Sequence, residues 1–198
     1  MRYLGLAARQ WAGLGIVCVM SALLSGCIWG SQRPLFTPDP STPVPIESGS
    51  YWLDPGFGLN STSKTRIEVT RLPSGYFLIR SDGKYDQQIA FRPLPVPGRT
   101  LWMTQLLINP EQSSFDTVGT DLVVFGLMER TAKGLVGKYF LECKGSEALV
   151  AKAGGVALDD DKGCVFGDLP SLERALSAYA RQHPVLAGET STLTRIKR

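Results

Sequence analysis

The chain has 198 residues, 43% of them hydrophobic and 20% charged, with a formal net charge of +3. That apolar fraction is sufficient for a folded core, and the charge is too sparse and too mixed in sign for a disordered chain. Arg2 and Arg9 precede the first apolar run, and the remaining cations are scattered apart from Arg195, Lys197 and Arg198, a pattern that excludes general nucleic-acid binding by counterion release.

The first element is a targeting segment. Residues 1–26 place Arg2 and Arg9 ahead of an apolar run at 11–24 and then small residues, the three-part layout of an export signal. The run is shorter than the about 20 apolar residues that a permanent membrane helix needs. It ends in Leu24-Ser25-Gly26-Cys27, which resembles the lipobox of bacterial lipoproteins, where cleavage falls before the cysteine. The resemblance covers only this first part of the chain. It implies a diacylglyceryl thioether on Cys27, acylation of the new amino terminus, and a membrane as partner through these lipid chains. More than one chain is needed for firm anchoring, because a single acyl chain holds only marginally. Ile28 stands where inner-membrane retention in many Gram-negative lipoproteins uses Asp. The family rule therefore points to the outer membrane, with the protein facing the periplasm.

Residues 27–49 follow as a tether. Pro34, Pro38, Pro40, Pro43 and Pro45 remove backbone donors and fix φ repeatedly, which predicts an extended, semi-rigid spacer between membrane and domain.

From residue 50 the pattern is short apolar runs divided by Gly, Pro, Asn and Asp, a strand and hairpin signal. Residues 65–71 alternate, with Ile67 and Val69 on one face, and 75–80 read as the partner strand across the turn 72–75. Asp82-Gly83 is a further turn, and a strand at 87–91 is expected to end at Pro93, Pro95 and Pro97. Residues 100–108 form another, stopped by Asn109-Pro110. Residues 122–129 and 135–141 predict a pair in which Gly126 and Gly137 mark a bulge or a close approach of backbones.

Leu169, Leu172, Leu176 and Tyr179 then recur at helical spacing, after Asp168 as cap and Pro170 in the first turn. A helix over 169–182 is expected, ended by Pro184, with 185–198 as a flexible tail. The predicted fold is mainly β (α+β): a curved antiparallel sheet or small open barrel with one C-terminal helix packed on it, occupying 50–184. The order of lipobox, tether, paired strands, late cysteines and final helix loosely resembles β-rich bacterial lipoproteins that carry no assigned activity.

Four cysteines divide by position. Cys18 leaves with the signal and Cys27 is the lipidation point, so Cys143 and Cys164 remain as the thiols of an exported domain, where an oxidising compartment favours a disulfide. Catalytic patterns are missing: there is no nucleophile elbow, zinc-binding His pair or phosphate-binding glycine loop. His183 is the only histidine and sits at a helix end, and Asp159-Asp160-Asp161 lacks the spacing of a calcium loop. Acids such as Glu68, Asp86, Glu129 and Glu142 give no defined pair without a cleft. The sequence therefore predicts no enzyme, no cofactor and no metal.

The aromatic residues Trp52, Tyr76, Trp102 and Tyr139 are the candidate binding surface, since such side chains serve both cores and recognition faces. The expected function is a lipid-anchored envelope protein with a non-catalytic interaction or structural role toward an envelope protein. The alternative is a carrier of an apolar small molecule or lipid in the concavity of the sheet.

Overall fold

The computed structural model describes residues 28–54, 64–81, 85–108, 122–132, 134–158, 163–184, 186 and 191–196. In chain order the described strands are β1 (Trp29–Ser31), β2 (Gly49–Leu53), β3 (Thr65–Arg71), β4 (Phe77–Ser81), β5 (Tyr85–Val96), β6 (Arg99–Ile108), β7 (Leu122–Thr131) and β8 (Gly134–Lys138). Helix α1 (Glu147–Ala153), strands β9 (Val156–Ala157) and β10 (Cys164–Val165), helix α2 (Leu169–Gln182) and strand β11 (Ser191–Arg195) complete them.

Eight of the strands close on themselves. The ring runs β6, β5, β4, β3, β2, β11, β8, β7 and returns to β6, with every neighbour antiparallel. Closure rests on β6 and β7, paired from Leu101 opposite Glu129 to Ile108 opposite Leu122. Strand β8 covers only the Leu127 to Thr131 half of β7. Beyond it β1 takes the same edge, pairing Gly30 with Val124 and Ser31 with Val123. β10 then adds parallel to β1, and β9 antiparallel to β10.

The sequence patterns follow from which faces are covered. β3 is buried on one side only, through Ile67 and Val69, and reads as a clean alternation. β6 and β7 are covered on both sides and read as nearly continuous apolar runs, as strands buried on both faces do. One face of them, with Trp102, Leu106, Val124 and Met128, joins Phe77, Ile89 and Phe91 inside the barrel. The other, with Leu101, Met103, Phe125 and Leu127, packs under the helical layer with Trp29, Phe166, Leu172 and Leu176. Asp168 caps α2 by accepting the Ser171 N–H at 2.8 Å, and Pro170 lies in its first turn. The expected β-rich architecture with a C-terminal helix is thus present, closed into a barrel.

Several local expectations are corrected. Pro93 and Pro95 do not end β5, whose ladder to β6 runs through both to Val96. β4 pairs with β5 only as far as Ile89, so among the described residues the missing N–H groups fall on an edge with no strand partner to satisfy. A second helix, α1, precedes β9; it has Glu147 in its first turn, Lys152 in its last and Gly154 at φ 93° as its stop. Residues 191–195 are not tail but β11, which fills the gap between β2 and β8 and buries Leu193 in the barrel.

The Pro-rich stretch is not a free spacer. Trp29, Phe36 and Ile46 are core residues at its start, middle and end. Prolines leave its carbonyls without strand partners, and barrel side chains take them. Trp102 Nε1 donates to the Pro43 carbonyl at 3.1 Å, Arg130 to that of Pro45 at 3.2 Å, and Arg71 to that of Pro40. Cys27, the Asp82-Gly83 turn, Asn109-Pro110, the Asp86 side chain and Asp159-Asp160-Asp161 lie outside the described residues.

Candidate functional site

The interior of the barrel is built from its own side chains. Eight strands enclose a space that side chains can just fill. Here Phe77 and Phe91 cross it in a T-shaped contact at 5.6 Å, joined by Trp102, Met128 and Tyr139. Tyr139 follows β8 and turns inward, where two glycines make its place. A Cβ on Gly126 would stand 2.5 Å from the Lys138 carbonyl oxygen and 2.7 Å from Tyr139 Cα. One on Gly137 would stand 2.5 Å from Tyr139 Cε2. The expected close approach at these glycines is therefore between a turning backbone, an aromatic ring and the sheet. Burial pushes the Tyr139 hydroxyl well above its ordinary range.

The four aromatic residues singled out from sequence do not form one surface. Trp102 and Tyr139 are inside the barrel, buried to 7% and 5% exposure. Arg130 lies 5.9 Å over the Trp102 ring. Tyr76 is half-buried on the outer face, where its hydroxyl accepts from Gln105 Nε2 at 2.9 Å. Its pKa is raised, chiefly by desolvation, with the Gln105 hydrogen bond acting the other way. Only Trp52 among them is exposed, on β2.

Gln105 is itself buried and holds the Pro-rich segment. Its Oε1 accepts the Leu35 and Phe36 N–H groups at 2.7 and 3.3 Å, while Nε2 donates to the Phe36 carbonyl at 2.9 Å. One amide thus satisfies a segment whose prolines deny it a regular ladder.

An open groove of about 780 Å³ lies over the helical layer. Leu94 and Pro95 of β5, Ala148 and Leu149 of α1 and Ala178 of α2 supply its apolar lining. Lys152, Arg174 and Arg181 add positive charge, whereas Glu173 is already paired with Arg92 at 3.1 Å. Arg174 also donates to the Ala153 carbonyl at 2.9 Å and so ties the two helices together. The sequence pattern does not announce this groove, because α1 is only seven residues long. The available signal was Glu147 to Lys152 with the Gly154-Gly155 stop.

Two further clusters hold this layer in place. Cys143 and Cys164 are bonded, with sulfurs 2.00 Å apart, so the chain entering α1 is joined to β10. Trp29 Nε1 donates to the Glu142 carbonyl and to Ser146 Oγ beside it. At the other end Arg99 grips Glu129 with two bonds, Nε to Oε1 at 2.7 Å and Nη2 to Oε2 at 2.6 Å. Its Nη1 donates to the carbonyls of Ala180 and His183. His183 closes α2: its Nδ1 is 2.9 Å from the Tyr179 carbonyl and its ring stacks on that of Tyr179 at 4.1 Å. These are the contacts of a helix terminus.

Among the described residues no group of three His, Cys, Asp or Glu side chains is placed to hold a metal ion, and no helix is long and apolar enough to cross a membrane. Comparison with protein-family models, curated proteins and solved structures gives no match for the chain.

Proposed function

We propose that this chain is a lipid-anchored protein of the bacterial envelope, attached through Cys27 to the outer membrane and facing the periplasm, with a non-catalytic role in binding another envelope protein. The anchor rests on the Leu24-Ser25-Gly26-Cys27 sequence after an apolar run. A domain with a disulfide between Cys143 and Cys164 suits an oxidising compartment.

One observation carries the binding role. The barrel interior is occupied by Phe77, Phe91, Trp102 and Tyr139, whereas the helical layer leaves an open apolar groove with a cationic rim. A carrier of apolar molecules would need its space along the barrel axis, where those rings stand. The groove suits an apolar segment bearing acidic side chains, which would pair with Lys152, Arg174 and Arg181.

The test is a photoreactive amino acid at Ala178, with a second at Thr70 on the exposed face of β3 as control. Irradiation of intact cells should yield one reproducible protein adduct from position 178 and none from position 70. Equal adducts at both positions, or none at either, would overturn the groove as a binding site. The mass of the N-terminal peptide tests the anchor separately, and an unmodified Cys27 would remove it.

A further inference from the structure

We infer that the β9 edge, through Val156 and Leu158, rests on the bilayer surface that holds the lipid anchor. The inference depends on lipidation of Cys27 as proposed above, and it adds which face of the protein meets the membrane. The starting point is the docking of the Pro-rich segment. A free spacer would let the domain take any orientation, but β1 begins at Trp29, which is fully buried. Only Ile28 separates Cys27 from that strand, and Ile28 is itself held. Its carbonyl accepts the Cys164 N–H at 3.0 Å, and it bridges to Glu142. Adjacent Cα atoms are about 3.8 Å apart, so acyl chains on Cys27 begin within one residue of the folded sheet.

The neighbours at that point are β10 and β9, side by side beyond β1. Strands lie about 4.8 Å apart, which places β9 about 10 Å from β1. Ala157 pairs with Cys164 and faces the core, so Val156 and Leu158 on either side of it face away. They are 59% and 42% exposed, and with Trp52 they are the large apolar side chains most exposed among the described residues. Two of those three therefore stand beside the anchor. Glu142 is exposed and bridges to Ile28, and three aspartates follow Leu158 in the sequence, which limits the contact to headgroup depth, since charged groups there keep their water.

The test uses the full-length lipidated protein in vesicles of phosphatidylethanolamine and phosphatidylglycerol carrying a nitroxide on the headgroup. With Cys27 acylated and Cys143 bonded to Cys164, an introduced cysteine is the labelling site for a fluorophore. V156C and L158C are compared with T70C on β3, four strands from β7 in either direction around the barrel. All three positions are peripheral, and an unchanged circular dichroism spectrum checks the fold. Quenching several-fold stronger at 156 and 158 than at 70 is the expected result. Equal quenching at all three, with the acyl mass present on Cys27, overturns the orientation and leaves the anchor intact. A preparation in which Cys27 carries no lipid overturns both. Excimer formation between pyrene labels at 158 would place a second copy of the chain on this edge, which likewise overturns the bilayer contact.

Discussion

The ring of Tyr139 occupies the space that a side chain on Gly137 would need, with Cε2 only 2.5 Å from where a Cβ would stand. At Gly126 the obstacle is backbone, the Lys138 carbonyl and Tyr139 Cα, which cannot rotate away. Gly126→Ala is therefore expected to destabilise more than Gly137→Ala, by about 1–3 kcal/mol for an overpacked site. Urea denaturation of both variants checks the order. Combining Gly137→Ala with Tyr139→Ala should give less than the sum of the single losses, because the two residues share one space.

Gln105 supplies both hydrogen-bonding ends of its amide to residues 35 and 36. Gln105→Leu keeps roughly the shape of the side chain but orphans the Leu35 and Phe36 N–H groups and the Phe36 carbonyl. A buried group left unpaired costs about 1–3 kcal/mol. The expected outcome is loss of stability together with release of the segment, read as accelerated limited proteolysis between residues 32 and 48 before the barrel is cut.

The strands β3, β4, β6 and β7 and helix α2 announce themselves because one periodicity or one apolar run decides each of them. The docking of the Pro-rich segment is not legible, because proline spacing describes backbone freedom, not the long-range carbonyl acceptors taken by Trp102, Arg130 and Arg71. β11 was missed for a similar reason. Ser-Thr-Leu-Thr-Arg has one large apolar residue and becomes a strand through the open edges of β2 and β8. Helix α1 is seven residues long, too short for periodicity to speak. The four aromatic residues do not share one surface, because core and recognition faces draw on the same residue types and closure of the barrel puts Trp102 and Tyr139 on the inside.

The Arg99–Glu129 pair joins the end of α2 to the barrel, with side chains only 12% and 11% exposed. Removing the carboxylate leaves the nearly buried Arg99 charge with only the neutral Ala180 and His183 carbonyls as partners, a loss of about 3 kcal/mol, the lower end for a broken buried pair. Glu129→Ala should therefore be far more damaging than Arg92→Ala, whose pair with Glu173 is solvated. Thermal melts measure the difference. Hydrogen exchange should locate it in the last turn of α2, where Arg99 also binds the Ala180 and His183 carbonyls.

Asp168 provides a pH signature. The backbone and side-chain hydrogen bonds from Ser171 lower its pKa from 3.8 in the folded protein. The ionised form is thus favoured by folding. Its contribution is complete above the ordinary value and is lost as the pH falls through the lowered one. Asp168→Asn keeps a capping oxygen without the titration. Melting temperatures measured downward from neutral pH should show wild type losing its advantage over Asp168→Asn below about pH 4.

The disulfide offers the clearest separation of folded-state from unfolded-state effects. Cys143 and Cys164 are 21 residues apart, and a closed loop of that size restricts the unfolded chain by about 3 kcal/mol in the chain-entropy treatment. In the folded state the same region is held independently, by β1 pairing with β10, by the Trp29 indole on Glu142 and Ser146, and by packing of Phe166 against Trp29 at 5.3 Å. A Cys143→Ala and Cys164→Ala double variant, which buries no new hydroxyl, should therefore keep the native circular dichroism spectrum while its free energy of unfolding, measured by urea denaturation, falls by an amount near that figure. A collapse of the native spectrum would instead mean that the covalent bond, not the strand pairing, holds the helical layer to the barrel.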